Sequence, residues 1–175
     1  MQIPLVMTVI GHDRPGLVEL VASVVADHGG NWLESRMCRL GGEFAGILRV
    51  RVPAANELRL RAALAGLAGR GLNVLVQQDP DEATGGTATA QLELVGQDRP
   101  GIVRQISAAL AAHGVNVEEL HTECASAPMS GEPLFKATAR LRVPAQCDTT
   151  ALRTELERIA ADLLVDLSLA PLPPA

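Results

Sequence analysis

Aromatic residues are nearly absent from this chain of 175 residues: it holds Trp32, Phe44 and Phe135 and no tyrosine. Single-stranded nucleic acids are gripped by stacking bases on exposed rings, so a platform of that kind is hard to build here. Basic charge is scarce as well. Fifteen Lys and Arg face twenty Asp and Glu, for a formal net charge of −5. Direct binding to DNA or to an anionic membrane surface needs a basic footprint, and neither is expected. The three cysteines, Cys38, Cys124 and Cys147, are odd in number and far apart, with no CxxC pair or His/Cys cluster beside them. That pattern offers neither a zinc site nor a disulfide framework, and no metal or cofactor is expected. Reduced, partly buried thiols in a cytoplasmic protein are the expectation. No apolar run approaches the roughly 20 residues that cross a bilayer, and "MQIPLVMTVIGHD" lacks the basic segment that opens a secretory leader. Hydrophobic residues at 47% and charged residues at 20% describe ordinary globular material.

The chain repeats itself. "GHDRPGLVELVASVVADHGGNW" begins at Gly11 and "GQDRPGIVRQISAALAAHGVNV" at Gly96, 85 positions on. This offset pairs Asp13 with Asp98, Arg14 with Arg99, Pro15 with Pro100, Gly16 with Gly101, His28 with His113 and Asn31 with Asn116. After an insertion, "SAPMSGE", the offset becomes 91, pairing Phe44 with Phe135, Arg49 with Arg140 and Arg51 with Arg142. Long-period similarity of this kind marks two structural units. The polar, Gly- and Pro-bearing "DPDEATGG" between them reads as a linker. The expected organisation is a first domain over 1–78, a linker over 79–86 and a second domain over 87–170.

Each copy reads as βαββαβ. Leu5, Met7 and Val9 alternate as a strand facing inward, with Val6 and Thr8 on its other face. Leu17, Leu20, Val21, Val24 and Val25 form a helical stripe. A second strand is expected from Asn31 to Leu40, then a third with Leu48, Val50 and Val52 inward and Arg49 and Arg51 outward. A helix carrying Leu60, Leu64 and Leu67 and a last strand from Leu72 to Gln78 complete the unit. In copy two the inward rows are Ala90, Leu92, Leu94 and Phe135, Ala137, Ala139, Leu141, Val143. Its helices carry Ile102, Ile106, Ala109, Leu110 and Leu152, Leu156, Ile159, and Leu163, Val165 and Leu167 are assigned to its last strand. Two right-handed crossovers that interleave give an antiparallel four-stranded sheet with both helices on one face. The fold class is therefore α+β, with two ferredoxin-like domains in tandem. The uncovered face suits solvent where Thr89, Gln91 and Glu93 lie. Val6 and Ile10 suit it less, and a homodimer is one arrangement that would cover them.

The ends of the first helix carry the chemistry. Asp13 and Asp98 read as N-caps, accepting N–H bonds from the first helical turn, with Pro15 and Pro100 inside that turn. Gly16 and Gly101 would then lie within the helix, where Gly costs about 1 kcal/mol relative to Ala. Two reasons are open: a helix lying close on the sheet, or a ligand approaching the helix start. Exposed N–H groups and partial positive charge there suit a carboxylate. Gly29 and Gly114 read as left-handed caps, and His28 and His113 as favourable at the helix C-terminus. Catalysis is not suggested: none of His12, His28, His113 and His121 has a recognisable nucleophile motif. A phosphate-cradling loop is argued against by the Asp of "GHDRPG". An RNA-binding sheet is argued against by the inward places of Phe44 and Phe135.

A βαββαβ repeat with "DRPGLV" or "DRPGIV" and "HGxN" resembles the ACT domain, a module that senses small molecules of amino-acid metabolism. As a stand-alone tandem pair the chain is similar to the glycine cleavage system transcriptional repressor family. The resemblance implies a non-enzymatic regulator that binds a small amino acid, glycine first, at an interface between ACT modules. It also implies action through a DNA-binding activator protein; a regulatory ACT subunit controlling a metabolic enzyme in trans is the alternative. Carried over residue by residue, the implied ligand-binding positions are His12, Asp13, Pro15, Gly16 and Asn31 in copy one. In copy two they are Asp98, Pro100, Gly101 and Asn116. Gln97 stands where copy one has His12, so the two implied sites are not equivalent.

Overall fold

The computed structural model describes residues 1–79, 88–126 and 131–172. The chain divides into two compact units, Met1–Ala83 and Thr84–Ala175. Of the expected linker only Asp79 is described; the rest lies outside the described residues, as does the middle of the insertion in copy two.

Unit one runs β1 (Gln2–His12), α1 (Leu17–Asp27), β2 (Asn31–Leu40), β3 (Glu43–Pro53), α2 (Glu57–Ala65) and β4 (Leu72–Gln78). Unit two runs β5 (Ala88–Gln97), α3 (Ile102–Ala112), β6 (Asn116–Ser126), β7 (Pro133–Val143), α4 (Thr149–Leu163) and β8 (Val165–Leu172). The sheet orders are β2-β3-β1-β4 and β6-β7-β5-β8, and every strand pair is antiparallel. These are two ferredoxin-like α+β units.

Period-two alternation sets the strands and period 3.6 the helices, and both stripes meet in one core per unit. In the first, Leu5, Met7 and Val9 of β1 and Val50 and Val52 of β3 pack under Val21 and Val25 of α1 and Leu60 and Leu64 of α2. The second core uses the corresponding rows, with Leu152, Leu156 and Ile159 from α4. Its walls are thinner. Val117 and Ala139 stand where unit one has Trp32 and Leu48, and an apolar cleft of about 40 Å³ opens beside them between α3 and β6.

Two glycines explain the strand crossings. A Cβ on Gly11 would lie 2.3 Å from the carbonyl oxygen of Gly71, and one on Gly96 2.7 Å from the Cα of Val165. The last strand therefore meets the first with no room for a side chain. One expectation is corrected at the same crossing: Leu163 ends α4 rather than entering the last strand, and Val165 opens β8. Leu164 between them is left-handed (φ 57°), at the place where unit one has Gly71 (φ 77°). A leucine in that conformation is uncommon, so the sequence there resembles a continuing apolar run.

Candidate functional site

The start of each first helix differs from the expected capped turn. The N-cap positions are Gly16 and Gly101, left-handed at φ 91° and 97°, and no side chain caps either helix. Asp13 and Asp98 are thus not N-caps, and Pro15 and Pro100 precede the helices instead of lying in their first turns. A Pro-Gly pair with the glycine near φ 90°, ψ 0° is the central pair of a type II turn, which forces the preceding aspartate back from the helix end. The carbonyls of Gly16 and Gly101 accept the first helical bonds, from the N–H groups of Leu20 (2.9 Å) and Gln105 (3.0 Å). Of the two reasons open for this glycine, close packing on the sheet is excluded: a Cβ on Gly16 would meet nothing within 4 Å, and one on Gly101 only the Gln105 side chain at 3.8 Å. Backbone conformation alone requires the glycine, and the space above the helix start is open.

Asp13 and Asp98 are held by their backbones against the β2–β3 and β6–β7 turns. The Asp13 N–H donates to the Gly42 carbonyl (2.9 Å) and the Asp98 N–H to the Pro133 carbonyl (3.1 Å). Their carboxylates differ. Asp13 accepts from Arg39 Nε at 2.7 Å, and Cys124 stands where a second such arginine would be. Among the described residues Asp98 has no ion pair. His12, exposed, lies 3.5 Å from Glu43, while Gln97 accepts from Arg99 at 3.0 Å.

The far ends of the helices are built as expected. Gly29 and Gly114 are left-handed at φ 68° and 69°. The N–H groups of Gly29 and Gly30 donate to Ala26 and Val25, and those of Gly114 and Val115 to Ala111 and Leu110. This crossed pair is the Schellman motif. His28 closes the helix further, Nδ1 donating to the Val24 carbonyl at 2.8 Å. His113 instead reaches Glu155 of α4, 2.9 Å away.

Asn31 and Asn116 open β2 and β6, paired in register with Arg51 and Arg142, and both are exposed. Two residues later each strand carries a bulge, at Leu33 and at Glu118, a device that re-aims the neighbouring side chains. Within one unit the structure brings Asp13, Pro15 and Gly16 together but keeps Asn31 apart. An 11-residue helix separates the two groups by roughly 16 Å. Sequence reasoning missed Arg39, Glu155, the bulges and Asn56, whose amide donates to the His28 carbonyl (3.0 Å). The internal repeat marks none of the three side chains.

Models of the ACT domain match both units, over residues 4–77 and 90–134. The chain belongs to the ACT-domain family. This tandem ACT protein is 26% identical over 166 residues to the glycine cleavage system transcriptional repressors of Escherichia coli (strain K12) and Shigella flexneri, covering 91% of this chain and 85% of theirs. The crystal structure of an unknown protein from Galdieria sulphuraria is similar over 99% of this chain and 100% of that one, with 30% identity and a TM-score of 0.89. A crystal structure assigned as a glycine cleavage system transcriptional repressor shares the fold over 99% of each chain, at 22% identity and a TM-score of 0.73. No helix among the described residues is long and apolar enough to cross a membrane.

Proposed function

We propose that this tandem ACT protein is a non-enzymatic regulator of transcription that binds a small amino acid, glycine first, and acts in the cytoplasm through a DNA-binding activator protein. The likeness to proteins named as glycine cleavage repressors supports the regulatory part and the choice of glycine. The observation that carries the ligand reading is the uncapped start of α1 and of α3, with an open left-handed glycine and an aspartate beside it. First-turn N–H groups suit the α-carboxylate of an amino acid, and the aspartate suits its ammonium. Because Asn31 and Asn116 lie a helix length from those groups, a ligand touching both kinds of residue draws them from two modules. Asp13 is neutralised by Arg39 while Asp98 is not, so the Asp98–Gly101 corner is the stronger ammonium site.

A thermal-shift screen across the amino acids tests this. Glycine at a hundred times its Kd stabilises the site-bearing module by about 2.7 kcal/mol through linkage. Asp98→Asn shrinks the shift more than Asp13→Asn does, and Asn31→Ala and Asn116→Ala shrink it unequally. No selective shift with any amino acid would overturn the ligand reading. Affinity capture then separates the partner classes, recovering a DNA-binding activator on this proposal and a metabolic enzyme on the alternative of regulation in trans.

A further inference from the structure

The uncovered faces of the two sheets have diverged, position by position. In unit one, Val6, Thr8 and Ile10 of β1 point away from the core, because Leu5, Met7 and Val9 between them are fully buried. Their neighbours across the sheet are Arg49, Ile47 and Ala45 on β3 and Gln77, Leu75 and Asn73 on β4. Ile10 and Ile47 are each 48% exposed and Leu75 is 60% exposed. In unit two the same register holds Gln91, Glu93 and Val95, flanked by Thr138 and Lys136 and by Ser168. The fold thus tolerates a polar open face, and unit two has one. Unit one groups Val6, Ile10, Ala45, Ile47 and Leu75 around Thr8, with Arg49, Gln77 and Asn73 at the margin, an apolar centre with a polar rim of the kind that is covered.

We propose that the open face of the first sheet is a dimer interface, closed by the same face of a second copy of this chain. Shape favours a self-match. Ile47 stands between two depressions, one bounded by Val6, Glu34 and Arg49 and the other by Thr8, Cys38 and Ala45. A two-fold axis seats each copy's Ile47 in a hollow of the other, as an isologous contact requires. Charge favours it too. Arg49 is paired with Asp79 at 2.6 Å and with Glu34 at 3.8 Å, and Arg36 with Glu34 at 3.1 Å. A rim whose charges are satisfied within its own sheet strands none when an identical face arrives, and offers little to select a charged partner. Area is sufficient. Nine residues of strand by four strands span roughly 30 by 19 Å, so two such faces bury on the order of 1,100 Å², just above the threshold for a specific contact. Sheets packed this way lie about 10 Å apart with their side chains interdigitated.

Sedimentation equilibrium of the full chain is expected to show a monomer–dimer equilibrium. Ile47→Glu and Leu75→Lys, on an exposed face, keep the circular dichroism and Trp32 fluorescence of the native fold and weaken the dimer about 100-fold or more by burying an unpaired charge. Thr138→Glu, at the matching place in the second sheet, leaves the dimer constant unchanged. A wild-type chain that stays monomeric at high micromolar concentration overturns the proposal. So does a dimer that survives both first-sheet variants, or one that Thr138→Glu abolishes equally.

Discussion

Gly11 and Gly16 lie five residues apart and are both glycine for different physical reasons, which makes their alanine variants diagnostic. At Gly16 an added methyl enters open space, and the residue is constrained only by φ 91°. An L-residue in left-handed conformation costs about 1–2 kcal/mol. Replacing glycine also stiffens the unfolded chain, which returns roughly 0.4–1 kcal/mol. Gly16→Ala should therefore destabilise the first unit by about 1 kcal/mol. At Gly11 the methyl would lie 2.3 Å from the Gly71 carbonyl oxygen and 3.3 Å from the Leu72 Cα, both backbone atoms of the neighbouring strand. Neither can rotate away, so β4 must shift, and about 3 kcal/mol or more is expected for overpacking of this severity. Trp32 is the chain's single tryptophan and lies in β2, so its fluorescence during urea unfolding follows the first unit specifically. In heat, one kcal/mol corresponds to roughly 4–8 °C for a unit of this size. Gly16→Asn, tolerant of left-handed backbone, should lie closer to wild type than Gly16→Val. Equal losses for Gly11→Ala and Gly16→Ala, or for Asn and Val at position 16, would refute the assignment.

The second unit supplies further tests, followed by calorimetry because it holds no tryptophan. Leu164→Gly removes a left-handed leucine that is 64% exposed; strain relief outweighs glycine's entropy, and the unit should gain about 0.5–1 kcal/mol. A loss there would show that the exposed leucine makes contacts that matter. Ala139→Val grows into the 40 Å³ cleft between α3 and β6 and should stabilise by up to about 1 kcal/mol, the energy of a void of that size. Unchanged or lower stability would mean that the cleft relaxes shut.

The local patterns decided the elements. Alternation at Leu5, Met7 and Val9 and the stripe Leu17–Leu20–Val21 depend only on chain geometry, so strand and helix were legible from the letters, and the repeat made them legible twice. The Schellman ends at Gly29 and Gly114 were legible for the same reason, since their bonds close within one helical turn. The helix starts were not. A Pro-Gly pair fits equally inside a first turn or just ahead of one, and the backbone of Gly16 is settled by how β1 delivers the chain to the core. The Asp13–Arg39 pair, the reach of His113 to Glu155 and the left-handed Leu164 depend on contacts between segments far apart in sequence or on a strand crossing. No local period records those. The contrast between the two open sheet faces belongs to both levels. Its residues are all visible in the sequence, but only strand pairing sets Ile47, Thr8 and Leu75 side by side and Thr138, Glu93 and Ser168 in the same places, because register is a property of neighbouring strands and not of any one of them.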